Sequence, residues 1–173
     1  MTTGRRSPAG ELLLRGLLMT TSSVSQGGQS SSPYAGDLSA NEAWSRLAQD
    51  SGAQLVDVRT KAEWTFVGIP DLSALSRAAI FCEWQLFPGP GQNPAFTTEA
   101  GEALARAGHQ KNAPIFFLCR SGERSRAAAI AMTAAGYGQC FNISDGFEGG
   151  LDDQRHRGVT EGWKAKGLPR IQS

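Results

Sequence analysis

The residues best suited to chemistry stand together in the stretch 119–124, which reads CRSGER, and in Ser125 directly after it. The stretch opens with Cys119, and a cysteine thiolate is a strong nucleophile. Gly122 lets the backbone turn so that successive N–H groups point inward and bind an anion. Arg124 adds a permanent positive charge, and the hydroxyls of Ser121 and Ser125 add further donors. The stretch therefore predicts a reactive cysteine in an anion-binding loop.

The sequence around this loop predicts a buried strand before it and a helix after it. The strand is the apolar run 114–118, and the helix is expected at about 124–135. Four residues there have the spacing of one helix face: Ala127, Ile130, Ala131 and Ala134. The chain has two histidines, His109 and His156, and neither is near Cys119 in sequence. We therefore expect the loop amides and the positive end of the helix dipole to keep the thiolate ionised.

The composition predicts one ordinary globular domain in a reducing, cytoplasmic environment. The chain has 173 residues, of which 40% are hydrophobic and 19% charged, and its formal net charge is +1. That charge gives no argument for a nucleic-acid partner. The three cysteines, Cys82, Cys119 and Cys140, are odd in number, widely spaced and without a CxxC pair. They indicate neither a disulfide scaffold nor a zinc site.

The first residues differ in composition from the rest of the chain. Segment 20–36 is rich in Ser, Thr, Gln and Gly, which is typical of a linker. The leucine runs before it are interrupted by Glu11 and Arg15 and are too short for a signal peptide or a membrane span. We predict a flexible N-terminal segment at 1–36, a folded domain at 37–173 and no membrane partner.

The sequence of the predicted domain favours strands alternating with helices. Two capping boxes, Ser39 with Glu42 and Thr60 with Glu63, open helices that we expect to end near residues 49 and 66. Further strands are predicted at 54–58, 78–82 and 139–143, a helix at 98–107, a turn at 68–71 and a tail at 147–169 that packs over the core. This order favours an α/β fold in which helices flank a central parallel sheet.

Three motifs together resemble the rhodanese family of sulfurtransferases across about residues 38–169. They are LCRSGERS with the alanine-rich helix, LVDVRTKAEW with GIP, and NISDGFEGG with GWKAKGLP. The second motif contains Asp57, Arg59, Glu63, Gly68 and Pro70. One departure is that the Gly-His-Ile-Pro usual in that family reads Gly-Ile-Pro here. The resemblance implies a three-layer rhodanese-like fold.

The resemblance also implies a function, the transfer of a sulfane sulfur through a persulfide on Cys119. The donor would be thiosulfate or a similar small anion, and the acceptor cyanide, a small thiol or a protein thiol. No cofactor and no metal is implied. The residues expected to bind the substrate anion are those of the loop: Arg120, Ser121, Gly122, Glu123, Arg124 and Ser125.

Several alternatives stay open at this point. Related phosphatases and arsenate reductases share the fold but use Cys-x5-Arg, whereas this chain has Cys-x4-Arg, which favours sulfur. A non-catalytic sulfur or redox sensor would carry the same cysteine. Arg124 either contacts substrate or ties the loop down, and the two serines can cap the helix. We expect Asp57, Arg59 and Glu63 to form a supporting ion-pair network, and Cys82 and Cys140 to pack in the core rather than relay sulfur.

Overall fold

A computed structural model describes residues 32–89 and 91–172, where the chain forms seven strands and five α-helices. The strands are β1 (Gly36–Leu38), β2 (Gln54–Asp57), β3 (Ile69–Pro70), β4 (Ile80–Phe81), β5 (Pro114–Leu118), β6 (Gln139–Ile143) and β7 (Arg170–Ile171). The helices are α1 (Ala40–Gln49), α2 (Lys61–Val67), α3 (Phe96–Arg106), α4 (Glu123–Ala134) and α5 (Gly162–Ala165), with a 3₁₀ turn at Ser73–Leu75.

Five of the strands form one parallel sheet in the order β1-β6-β5-β2-β4, with β5 in the middle. Asp57 of β2 is in register with Leu118 of β5, and Phe117 of β5 with Asn142 of β6. The carboxyl ends of the three central strands therefore lie at one edge of the sheet. In open α/β sheets ligands bind at this edge.

Helices cover both faces of the sheet, because its strands are apolar on both sides. One face packs against α3 and α4 and contains Val56, Phe117 and Cys140. The other packs against α1 and α5 and contains Leu55 and Phe116. These two apolar layers confirm the predicted three-layer α/β fold.

The two capping boxes confirm the predicted starts of α1 and α2. The Ser39 side chain accepts the Glu42 N–H, and the Glu42 carboxylate accepts the Ser39 N–H at 2.8 Å. Thr60 and Glu63 make the same reciprocal pair at the start of α2. Both boxes satisfy N–H groups that a helix start leaves without partners.

The buried face of α4 is not the one that the alanine spacing predicted. The residues that α4 buries are Ser125, Ala128, Ala129 and Met132, which is the neighbouring face. Ala134 is exposed, and Ala127, Ile130 and Ala131 are half-buried. Because α4 has small apolar residues on several faces, periodicity could not select the buried one. The true face includes Ser125 and turns its hydroxyl towards the cysteine loop.

The ordered domain includes residues before position 37. Tyr34 is buried, the Ala35 N–H donates to the Cys140 carbonyl at 2.9 Å, and Gly36 begins β1. These contacts join 34–36 to the domain, whereas the predicted boundary assigned them to the N-terminal segment. The rest of that segment, up to residue 31, lies outside the described residues, as do Pro90 and Ser173.

Residues 68–71, predicted as a turn, contain a short strand instead. Ile69–Pro70 pairs antiparallel with Arg170–Ile171. This second, two-stranded sheet joins residues 170–171 to the segment after α2. The predicted packing of the tail is confirmed, since Phe147 and Trp163 are fully buried. Within the described ranges, no helix has the length and apolar character needed to cross a membrane.

Candidate active site

Cys119 lies directly after the central strand β5 and just before α4, as predicted. Its side chain is almost fully buried. The Gly122 N–H donates a hydrogen bond to Sγ at 3.1 Å, and the Ser125 hydroxyl oxygen lies 3.1 Å from the same atom. The sulfur thus faces a backbone donor, a hydroxyl and the first turn of a twelve-residue helix. Each of these favours negative charge on sulfur.

Gly122 is required by the backbone of the loop. Its φ of 96° is in the left-handed region, and a Cβ there would overlap the Ser144 carbonyl after β6. An L-residue would therefore be strained and would also push two loops apart. The close approach sets the direction of the N–H that reaches Sγ.

The segment after β6 holds the other side of the loop. Phe147 donates its N–H to the Cys119 carbonyl at 2.8 Å, and the N–H groups of Glu148 and Gly149 both reach the Arg120 carbonyl, at 3.0 and 3.1 Å. These bonds satisfy the Cys119 and Arg120 carbonyls and hold the loop against the segment after β6. The sequence DGFEGG thus serves to fix the cysteine loop.

Arg124 forms a bidentate ion pair with Glu63 of α2, with N···O distances of 2.8 and 2.7 Å. Burial alone would raise the pKa of Glu63, but hydrogen bonds from Arg124 and Thr60 outweigh it and lower this pKa to about 2. Burial would lower the pKa of Arg124, but Glu63, Cys119 and Asp57 together raise it. Arg124 therefore ties the loop to α2.

This ion pair predicts a loss of stability in acid. We expect the contribution of Glu63 to be present above its ordinary pKa of 4.5 and to disappear as the pH falls towards 2. Glu63→Gln keeps the capping box but loses the charge, and should cost about 2–3 kcal/mol at pH 7 and progressively less from pH 5 downward. Urea unfolding of both proteins between pH 7 and pH 3 measures the difference.

The matched control is Glu102→Gln, which removes a carboxylate from the exposed pair with Arg106 on α3. That change should alter stability by less than about 0.5 kcal/mol. A Glu63→Gln protein as stable as the wild type at pH 7, or a difference that grows in acid, would contradict the assignment.

Asp57 and Arg59 form a second, separate ion pair, so the predicted three-residue network does not include Glu63. Both side chains are fully buried and meet at 2.6 Å. Arg59 also donates to the Gly68 carbonyl at 2.8 Å, and its guanidinium lies 3.9 Å from the centre of the Phe147 ring. The pair joins β2, α2 and the segment after β6 beneath the site.

The cavity at Cys119 is small and polar. It encloses about 230 Å³ and is lined by Gln85, Cys119, Arg120, Ser121, Glu123 and Arg124. Pockets for drug-sized ligands start at about 300 Å³, so this one suits a small ion. Arg120 is exposed at its mouth, and no ion pair found among residues 32–89 and 91–172 uses it. Arg120 therefore supplies the free positive charge.

Two residues near Cys119 were not predicted from the sequence as part of the site. Gln85, in the loop after β4, forms part of the cavity wall. Asn142 is buried in β6, and its Oδ1 lies 2.7 Å from the Ser125 hydroxyl. The available signal was an asparagine inside an otherwise apolar strand, since a buried amide needs partners.

The other two cysteines differ from Cys119 in their surroundings. Cys82 and Cys140 are free and buried, and burial raises the pKa of each to about 11. Glu99 and Glu83 raise the pKa of Cys82 further. Both thiols are therefore protonated at neutral pH, in agreement with the predicted packing role.

The fold and the site together define a class. A five-stranded parallel sheet covered on both faces, with a cysteine loop between its central strand and a helix, is a rhodanese-like domain. The family model described as the STR4 middle domain matches residues 35–173, and the chain belongs to that family.

The chain is also similar to several known proteins and to a solved structure. Protein RC0915 of Rickettsia conorii is 41% identical over 133 residues, which cover 77% of this chain and 94% of that protein. The chloroplastic protein THYLAKOID RHODANESE-LIKE of Oryza sativa is 30% identical over 142 residues, 82% of this chain but 26% of that longer protein. The crystal structure of Rv0390 from M. tuberculosis has a TM-score of 0.74 and 46% identity, covering 81% of this chain and 99% of that one.

Proposed function

We propose that this protein is a sulfurtransferase that carries a sulfane sulfur as a persulfide on Cys119. The observation that carries the proposal is the environment of Sγ, which a backbone N–H and a hydroxyl reach at 3.1 Å, at the first turn of α4. This environment stabilises a thiolate, and the N–H groups of the loop from Arg120 to Ser125 would stabilise the outer sulfur of a persulfide anion.

The proposed reaction has two steps that return the enzyme to its starting state. The Cys119 thiolate attacks the outer sulfur of thiosulfate, a new S–S bond forms, and the old S–S bond breaks to release sulfite. The acceptor, cyanide or a thiol, then takes the outer sulfur as thiocyanate or a persulfide and leaves the thiolate. This is covalent, ping-pong chemistry, and it requires no cofactor. The exposed Arg120 would attract the anionic donor.

The state of Arg124 favours sulfur transfer over phosphoryl transfer. A phosphatase loop needs a guanidinium free to clamp the phosphoryl oxygens in the transition state. Here both terminal nitrogens of Arg124 are bonded to Glu63. The cavity is also small, and the loop has four residues between cysteine and arginine rather than five. A phosphatase or arsenate reductase is therefore the weaker proposal.

We also propose the partners and the compartment. The donor is thiosulfate or a similar small sulfur anion, and the acceptor is cyanide, a small thiol or a protein thiol. Three free cysteines are consistent with the reducing cytoplasm.

Steady-state kinetics test the proposal. With thiosulfate as donor and cyanide as acceptor, the protein should form thiocyanate, and double-reciprocal plots at several fixed cyanide concentrations should be parallel, as ping-pong kinetics require. With the acceptor omitted, about one sulfite should appear per protein chain.

The same samples decide between the alternatives. Hydrolysis of a phosphate ester without thiocyanate formation would contradict sulfur transfer and support the phosphatase. Stoichiometric release of sulfite without turnover, with cyanide and with thiols alike, would instead support a sensor that takes up sulfur and keeps it.

A further inference from the structure

The Ser125 hydroxyl has one proton but three acceptors within reach. Its oxygen lies 3.1 Å from Cys119 Sγ, 3.1 Å from the Gly122 carbonyl and 2.7 Å from Asn142 Oδ1. A hydroxyl donates one hydrogen bond at a time. The sulfur, the Gly122 carbonyl and the asparagine oxygen therefore compete for the same proton, and the asparagine oxygen is the nearest of the three.

The orientation of Asn142 is fixed from the other side. Its Nδ2 lies 2.7 Å from Asp37 Oδ1, and a carboxylate can only accept, so the amide nitrogen must face Asp37. The Asn142 oxygen must then face Ser125. Tyr34 also donates to Asp37, at 2.9 Å, and Asp37 itself is exposed. A chain of polar contacts thus runs from a surface carboxylate to a buried sulfur.

We propose that Asn142 and Asp37 are positioning residues that regulate the charge on Cys119 by competing for the Ser125 proton. The inference rests on the proposed role of the Cys119 thiolate. In the thiol state the Ser125 O–H points to Asn142, and the Ser125 oxygen can accept the S–H. When the thiol loses its proton to solvent or a base, the hydroxyl rotates and donates to the thiolate, and its bond to Asn142 breaks.

This competition gives opposite signs to two substitutions. Removing the hydroxyl takes a donor from the thiolate, so ionisation should require higher pH. Removing the asparagine oxygen takes away the nearest acceptor that competes with the sulfur for this proton, so ionisation should require lower pH. Hydrogen bonding to the charged form favours that form. If Ser125 and Asn142 only supported packing, the two substitutions would move the pH of Cys119 ionisation in the same direction or leave it unchanged.

The charged groups around the sulfur stay unchanged in the variants at Ser125 and Asn142. They come from every element packed against the loop: Asp57 of β2, Arg59 after β2, Glu63 of α2, Arg120 of the loop, Glu123 and Arg124 of α4, Asp145 and Glu148 after β6, and Asp37 of β1. Differences between those variants therefore do not arise from a gain or loss of a charged side chain.

The test is the pH dependence of Cys119 alkylation by iodoacetamide, since only the thiolate reacts. Trypsin cleaves after Lys111 and Arg120, so Cys119 is read on its own peptide, 112–120, by mass spectrometry. We expect the midpoint of the rate profile to move up by about 1 pH unit in Ser125→Ala and down by about 0.5 unit in Asn142→Leu. The double variant should match Ser125→Ala alone.

A midpoint that stays or rises in Asn142→Leu, or that still falls when Ser125 is already alanine, would overturn the proposal. If Asn142→Leu does not fold, as judged by its circular dichroism spectrum, Asp37→Ala decides the question. It should lower the midpoint only when Ser125 is present, whereas a direct charge effect of Asp37 would persist in the Ser125→Ala background. Alkylation needs no sulfur donor, so failure here is distinguishable from failure of sulfur transfer.

Discussion

Cys119→Ser should abolish sulfur transfer from thiosulfate to cyanide, with a loss of at least about 10³-fold in turnover. The serine hydroxyl is not ionised at neutral pH and has no histidine beside it in sequence to activate it. It also has no sulfur with which to form a persulfide. The change replaces one sulfur atom by oxygen in a loop held by backbone hydrogen bonds, so the fold should be retained. The rate of thiocyanate formation measures the loss of activity.

The matched controls are Cys82→Ala and Cys140→Ala, which remove the two thiols whose pKa burial raises to about 11. Both should keep sulfur transfer within about twofold, because neither thiol is ionised at neutral pH. Substantial activity in Cys119→Ser, or a loss in Cys82→Ala equal to that in Cys119→Ser, would contradict the assignment of the nucleophile.

Arg59→Met should destabilise the domain by about 3–5 kcal/mol, the largest effect on stability that we expect from one residue. The change leaves the Asp57 carboxylate fully buried without its guanidinium partner. It also removes the donor to the Gly68 carbonyl and the cation above the Phe147 ring. Urea unfolding at pH 7, with the slope of the transition compared between proteins, measures the loss.

The double variant Asp57→Asn with Arg59→Met is the control for this prediction. The double variant has no unpaired charge buried at position 57, so it should recover part of the stability lost by Arg59→Met alone. If the stability lost in the double variant equalled the sum of the losses in Asp57→Asn and in Arg59→Met, the two residues would not act as a pair.

The sequence predicted the features that depend on residues close together in the chain. Ser39 with Glu42 and Thr60 with Glu63 are capping boxes within three residues, and both form. The cysteine loop is similarly local, so the position of Cys119 between a strand and a helix followed from its immediate neighbours.

The features that were missed depend on contacts between distant residues. Glu63 and Arg124 are 61 positions apart, and nothing local favours Arg124 over Arg59 as the partner of Glu63. Strands β3 and β7 are two residues each and are recognisable only once they pair. Asn142 reaches Ser125 and Asp37 because β6 lies between β5 and β1, an order that the sequence does not state.

The mass of the protein after treatment with thiosulfate tests the central claim most directly. The wild type should gain about 32 Da, the mass of one sulfur, and lose it again on addition of cyanide. Trypsin places the three cysteines on separate peptides, 78–106, 112–120 and 127–155. After alkylation the added sulfur should be found on 112–120 and should be absent from Cys119→Ser. No gain in mass, or a sulfur on either of the other two peptides, would contradict a Cys119 persulfide.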